Sequence, residues 1–219
     1  MIEQLLPTCV AAVEVCREEL DVGLFPEEAA LVGNAVEKRR REFTTARACA
    51  RAALGQIGFP VLPILTGERG EPLWPKDVVG SITHCEGYRA CAVAKSSEIL
   101  TIGIDAEPNA ALPEGLLADI ARPEELPELR GLAMEYADVH WDRLLFSAKE
   151  SVYKAWFPLA KRWLGFEDAC ITFDPSAGAF TARLLVPGPV VAGRRLSGFS
   201  GTWMVSDGLI VTVIAVSVA

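Results

Sequence analysis

The stretch Thr101-Ile102-Gly103-Ile104-Asp105-Ala106-Glu107-Pro108 decides how the rest of the chain is read. If it is extended, side chains alternate between faces, so Ile102 and Ile104 share one side while Asp105 and Glu107 share the other. Two carboxylates on neighbouring positions of one face repel each other unless a cation lies between them. Hard divalent ions take oxygen ligands, and Mg²⁺ typically uses one or two carboxylates together with water and substrate phosphates. Two readings therefore stand side by side: a cation-binding pair, or a strand that ends in water at a proline.

The 219 residues are enough for one large domain or two compact halves, each with a core. With 51% hydrophobic and 23% charged residues the composition is that of a soluble globular protein. The N-terminus lacks a basic region and carries Glu3, so no secretory segment is expected, and the strongly apolar run Leu209 to Val216 is too short to span a bilayer. Six scattered cysteines without a C-x-x-C pair, and only two histidines, argue against zinc and for reduced thiols in the cytoplasm. A net charge of -8 argues against nucleic acid. One local exception is the run holding Lys38, Arg39, Arg40, Arg41, Arg47 and Arg51 against Glu42, which fits a solvated helix face or an anion site equally well.

Around the central stretch the pattern predicts a partial strand near Val10 to Val15, a helix beginning at Pro26, and a helix from Ala35 to Ile57 on which Arg39, Arg47 and Arg51 share a side. Val78 to Thr83 reads as a strand, followed by a tight turn over Thr83-His84-Cys85-Glu86-Gly87, then strands over Tyr88 to Ala94 and Leu100 to Asp105. Residues 108 to 135 read as a surface crossing. A helix over Asp138 to Ala160 places Trp141, Leu144, Leu145, Ala148, Val152, Ala155 and Trp156 on its apolar side. Glu150 and Lys154 lie one turn apart on it, an ordinary i,i+4 ion pair if nothing more. Strands follow over Cys170 to Phe173, Phe180 to Val186, Gly201 to Ser206 and Leu209 to Val218, the last two joined by an Asp207-Gly208 turn. Helix then strands, twice, is an α+β arrangement of two related halves, residues 1–108 and 109–219.

Four segments in order resemble the 4'-phosphopantetheinyl transferases of the larger, pseudo-dimeric type: Lys38 to Phe43 with Arg47, Gly80 to Gly87, Gly103-Ile104-Asp105-Ala106-Glu107, and Phe146 to Lys154 with its Lys149-Glu150-Ser151-x-x-Lys154 pattern. With Trp156 to Leu159 and Arg162 to Asp168, the chain is similar to the actinobacterial PptT-type branch. The resemblance implies two similar helix-plus-antiparallel-sheet halves related by pseudo-twofold symmetry. It also implies transfer of phosphopantetheine from coenzyme A to a serine of an acyl or peptidyl carrier protein, with release of adenosine 3',5'-bisphosphate, by a monomer that needs neither membrane nor nucleic acid. Mg²⁺, with Mn²⁺ as a substitute, is implied on Asp105, Glu107 and Glu150. Lys154 and Lys149 are implied to contact phosphate oxygens, and Glu150 to act as or position the base, with metal-bound hydroxide as its rival. Arg39, Arg47 and His84 are implied to grip the 3'-phosphate, and Thr83 and Arg69 to border the adenosine. Thr66 stands where close relatives carry lysine, and Trp163 and its aromatic neighbours read as core or as walls for the pantetheine arm. Two other readings remain, a coenzyme A-binding module without catalysis and a Mg²⁺-dependent pyrophosphate hydrolase. The branch resemblance points to carriers on several large polyketide, siderophore or fatty-acid synthases.

Overall fold

A computed structural model describes residues 1–16 and 23–218. The chain divides into two compact units, Met1–Ile102 with Ser217–Ala219, and Gly103–Val216. In the first, strand β1 (Ala11–Val15) is followed by the short helix α1 (Pro26–Leu31), the long helix α2 (Glu37–Gln56) and the hairpin of β2 (Val78–Cys85) and β3 (Tyr88–Lys95). The sheet order is β1-β3-β2, antiparallel throughout. Cys49, Ala50, Ala53 and Leu54 of α2 meet Cys91 and Val93 of β3 in the core, together with Ile64 and Val78. The small residues on that helix face let it lie close to the sheet, which is why the expected period over 35 to 57 holds.

The second unit carries β4 (Ile99–Pro108, entering from the first), α3 (Leu116–Ile120), α4 (Leu126–Glu135) and the 20-residue helix α5 (Trp141–Ala160). Strands β5 (Ala169–Asp174), β6 (Ala179–Leu184), the short pair β7 (Val190–Val191) and β8 (Arg194–Arg195), β9 (Gly198–Ser206) and β10 (Leu209–Ser217) follow. The main sheet runs β4-β10-β9-β6-β5. Helix α5 contributes Leu144, Leu145, Val152 and Trp156, all fully buried, to the core. Each such side chain contributes roughly 1.5 to 3 kcal/mol. The helix is also tied to the middle of the sheet by polar groups, because Thr212 of β10 donates to Ser147 O at 3.0 Å and the two hydroxyls lie 2.9 Å apart. The β9–β10 turn needs positive φ at both central residues, and Asp207 (52°) and Gly208 (74°) provide it.

The chain is thus α+β, with one long helix on an antiparallel sheet in each unit. Strand β4 joins the sheet of the second unit and takes Asp105 and Glu107 with it. Two expectations are corrected. His84 lies on β2, paired with Arg89, and the turn is confined to Glu86 and Gly87, where φ is +74°. Residues 108 to 135 are not a surface crossing: Leu112, Ile120 and Leu129 are built into the core with Trp141 and Leu144. Among the described residues no helix is long and apolar enough to cross a membrane.

Candidate active site

Strand β4 turns Gly103, Asp105 and Glu107 toward α5, so the acids do not end in water. Gly103 makes this possible: a Cβ there would lie 2.0 Å from Ser151 O and 2.8 Å from Ala155 N. Backbone atoms of a packed helix cannot yield to a methyl group, so only glycine lets strand and helix touch at this level. The contact brings Asp105, 5% exposed, onto Lys154, whose ammonium donates to Asp105 Oδ1 at 2.7 Å and to Ile104 O at 3.0 Å. Two residues on, Glu107 Oε2 accepts from Arg143 Nη1 at 3.0 Å. Glu150, half-buried, lies one turn before Lys154 on α5.

The electrostatics of these acids are coupled. Burial and then the nearby Asp105 push the Glu107 carboxyl up to about 7, with Arg143 and Lys154 pulling the other way. Burial and then Asp105 also raise Glu150, opposed by Lys154. Burial is the larger cause in both, and the charge of Asp105 adds to it. Among the described residues no three such side chains are gathered into a formed metal nest. The reason is visible in the ion pairs, since Lys154 holds Asp105 and Arg143 holds Glu107. The donor set itself, three all-oxygen carboxylates, of which Glu107 and Glu150 have their proton affinity raised by burial and by Asp105, fits a hard divalent cation.

Beside Glu150 a cleft of about 140 Å³ is walled by Tyr153, Trp163, Leu164 and Phe166. Trp163 is 64% exposed and packs at a tilt of 53° against Tyr153 with ring centroids 5.0 Å apart, so it belongs to a surface wall and not to the core.

Lys149 behaves otherwise than expected. Its ammonium is buried and donates to Glu125 Oε2 at 2.8 Å, Ile120 O at 2.9 Å and Phe166 O at 2.9 Å. All three donors of the ammonium are thereby used, and none is left for a phosphate. Burial lowers its pKa, with Glu125 opposing. In this structure Lys149 fastens α3, the start of α4 and the turn before β5 to the helix that carries Glu150.

In the first unit the basic residues separate by burial. Arg39 is exposed, and its Nη1 lies 2.6 Å from Nε2 of His84, also exposed. Two groups that both bind anions, one on α2 and one on β2, thus converge at the surface. Arg47 steps one way into the fold: Nε donates to Ile64 O at 2.8 Å, Nη2 to Thr66 Oγ1 at 3.1 Å, and the guanidinium stacks on Phe43 at 4.2 Å. Burial pushes it down to about 10, so it stays charged at neutral pH. Arg47, expected on the phosphate, here also holds the 64–66 turn, with Thr66 as one of its acceptors. Arg51 is buried on Glu28, which also accepts from Ile64 N and Phe25 N. Thr83 is buried on β2, and Arg69 is exposed in a loop where its backbone N–H donates to Glu71.

Two residues of this site were not singled out from sequence. Arg143 lies seven residues before Glu150, a spacing of two helical turns that marks the same face. Glu125 carried no local signal, because its partners Lys149 and Ile171 are distant in the chain.

A family model of the 4'-phosphopantetheinyl transferase N-terminal domain matches residues 27–94, and one of the 4'-phosphopantetheinyl transferase superfamily matches residues 101–198. The chain is similar to 4'-phosphopantetheinyl transferase Svp of Streptomyces mobaraensis, 60% identical over 89% of this chain and 79% of that protein. It is similar to Npt of Nocardia iowensis, 49% identical over 98% and 99%, and to PptT of Mycobacterium tuberculosis, 50% identical over 87% and 85%. Together these likenesses span both units, and the chain belongs to the 4'-phosphopantetheinyl transferase superfamily, in its actinobacterial PptT-type branch.

Proposed function

We propose that transfer of phosphopantetheine from coenzyme A to a carrier-protein serine, the reaction of this family, runs in this chain on Asp105, Glu107, Glu150 and Lys154 with Mg²⁺ or Mn²⁺. The observation that supports the reading is the contact of β4 with α5 at Gly103, beside which Lys154 of α5 meets Asp105 of β4. Asp105, Glu107 and Glu150 would hold the cation. Bound there, it supplies charge neutralisation of the pyrophosphate oxygens, without which an incoming hydroxyl is repelled. Lys154 offers its ammonium to a phosphate oxygen. Glu150 takes the proton of the serine hydroxyl as its oxygen bonds to the β-phosphorus. The bond from that phosphorus to the bridging oxygen breaks, and adenosine 3',5'-bisphosphate leaves with the electron pair. Burial and Asp105 raise the proton affinity of Glu150, which moves it toward what a base near neutral pH requires. The aromatic cleft beside Glu150 suits the apolar parts of the pantetheine arm.

In the first unit we assign Arg39 and His84 to the 3'-phosphate, with Arg47 as the support of the adjoining turn and Thr83 and Arg69 as neighbours of the adenosine. The protein acts as a cytoplasmic monomer on acyl or peptidyl carrier domains.

Incubation with coenzyme A and an apo carrier, followed by mass spectrometry, tests the reading. The carrier gains the phosphopantetheine mass with Mg²⁺, and the gain disappears in excess chelator or with Asp105→Ala. Coenzyme A cleaved without carrier modification would indicate a hydrolase, and binding without change a coenzyme A module. Arg39→Ala is expected to weaken coenzyme A by roughly 10- to 100-fold, the loss of a charged hydrogen bond of about 1.5 to 3 kcal/mol. Dephospho-coenzyme A, lacking the group contacted, should be nearly unaffected in the same calorimetric titration. Equal losses would move Arg39 away from the 3'-phosphate.

A further inference from the structure

Arg143 has no part in the chemistry above, yet its guanidinium spans a carboxylate and two backbone carbonyls at the exit of β4. Nη1 donates to Glu107 Oε2 at 3.0 Å, Nε to Ala110 O at 3.1 Å and Nη2 to Ala111 O at 2.9 Å. Its neighbour Asp142 accepts from Leu112 N at 2.8 Å. The first turn of α5 therefore pins residues 107 to 112 through two adjacent side chains. A guanidinium is a rigid plane, so a fork that meets two fixed carbonyls also fixes where the carboxylate must lie. One oxygen of Glu107 is taken up in this way and the other remains for a ligand.

The charge of Arg143 makes its presence informative. A cation next to a proposed ligand of Mg²⁺ repels the metal, and it draws charge away from the carboxylate. Such a residue weakens the site unless what it contributes in geometry is worth more. We propose that Arg143 is a positioning residue, which clamps Glu107 to the 110–111 carbonyls and holds it oriented for the divalent cation. This rests on the reading of Asp105, Glu107 and Glu150 as metal ligands. Residues that orient ligands in this way typically change metal affinity by 10- to 100-fold when removed.

The test uses the full chain without substrates. Free Mn²⁺ is measured by electron paramagnetic resonance during titration of wild type, Arg143→Ala and Arg143→Lys, and the Mg²⁺ dependence of carrier modification is measured in parallel. Lysine keeps the charge and the helix, but one ammonium cannot span three acceptors in a plane, so it serves if the alanine variant does not fold. The expected result is Mn²⁺ affinity lowered by about 10-fold or more in Arg143→Ala and by a smaller factor in Arg143→Lys. Half-saturation by Mg²⁺ should rise in step, while kcat at saturating Mg²⁺ falls much less. Unchanged Mn²⁺ affinity with a lowered melting temperature would make Arg143 a loop staple only. Tighter Mn²⁺ binding would show that its charge competes for Glu107. Either overturns the proposal alone, whereas a wild type that binds no Mn²⁺ overturns the metal reading and the proposal with it.

Discussion

Lys149→Met should destabilise the second unit by about 3 to 5 kcal/mol, the usual loss when one partner of a buried ion pair is removed. Glu125 is left behind as a carboxylate that is 2% exposed, accepting from Ile171 N at 2.6 Å and Arg122 N at 2.7 Å but with no cation against it. The carbonyls of Ile120 and Phe166 lose their donor at the same time. Adding Glu125→Gln to Lys149→Met should recover part of the loss, since the amide removes the uncompensated charge and keeps an oxygen for Ile171 N. Urea unfolding followed by tryptophan fluorescence measures both. A single variant within about 1 kcal/mol of wild type, the range of an exposed pair, would mean that Lys149 is free to reach a ligand after all.

Glu150→Gln is expected to lower turnover by roughly 10² to 10⁴-fold at saturating Mg²⁺, the range of a lost general base. The amide keeps an oxygen of similar reach, so ligation is weakened but not abolished, while the proton of the attacking serine loses its acceptor. Stability should change little or rise, because the carboxylate is held at a raised pKa by burial and by Asp105 and an amide has no such charge to desolvate. Steady-state rates across a Mg²⁺ series separate the two roles. Recovery to near wild-type turnover at high Mg²⁺ with the same pH profile would leave Glu150 as a metal ligand alone.

Periodicity explains what could be read without coordinates. Alternation over 101 to 108 predicts that Asp105 and Glu107 share a face, and apolar residues at helical spacing predict α2 and α5 to within a few residues. Asp207-Gly208 announces a hairpin because both positions need positive φ and such residues tolerate it. The segment 108 to 135 misleads for a physical reason. Its helices α3 and α4 span only five and ten residues, too short to show a period, and they owe their stability to the core that Ile120 and Leu129 enter.

The order of chemistry-bearing residues, the spacing of Glu150 and Lys154, and the shared face of Asp105 and Glu107 all belong to the chain itself. These are local properties, set by backbone periods. Which cation meets which acid was decided only by tertiary structure. A sequence shows Lys154 one turn from Glu150, but packing of β4 on α5 delivers its ammonium to Asp105 at 2.7 Å. Lys149, next to Glu150 in the chain, points about 100° around the helix axis from it and meets Glu125 in the interior instead. Arg39 and Arg47 share a helix side and differ in burial, because the 64–66 turn covers one and not the other. Desolvation and pairing depend on neighbours from distant parts of the chain, so whether a lysine or an arginine anchors the fold or faces a ligand is settled when those neighbours arrive.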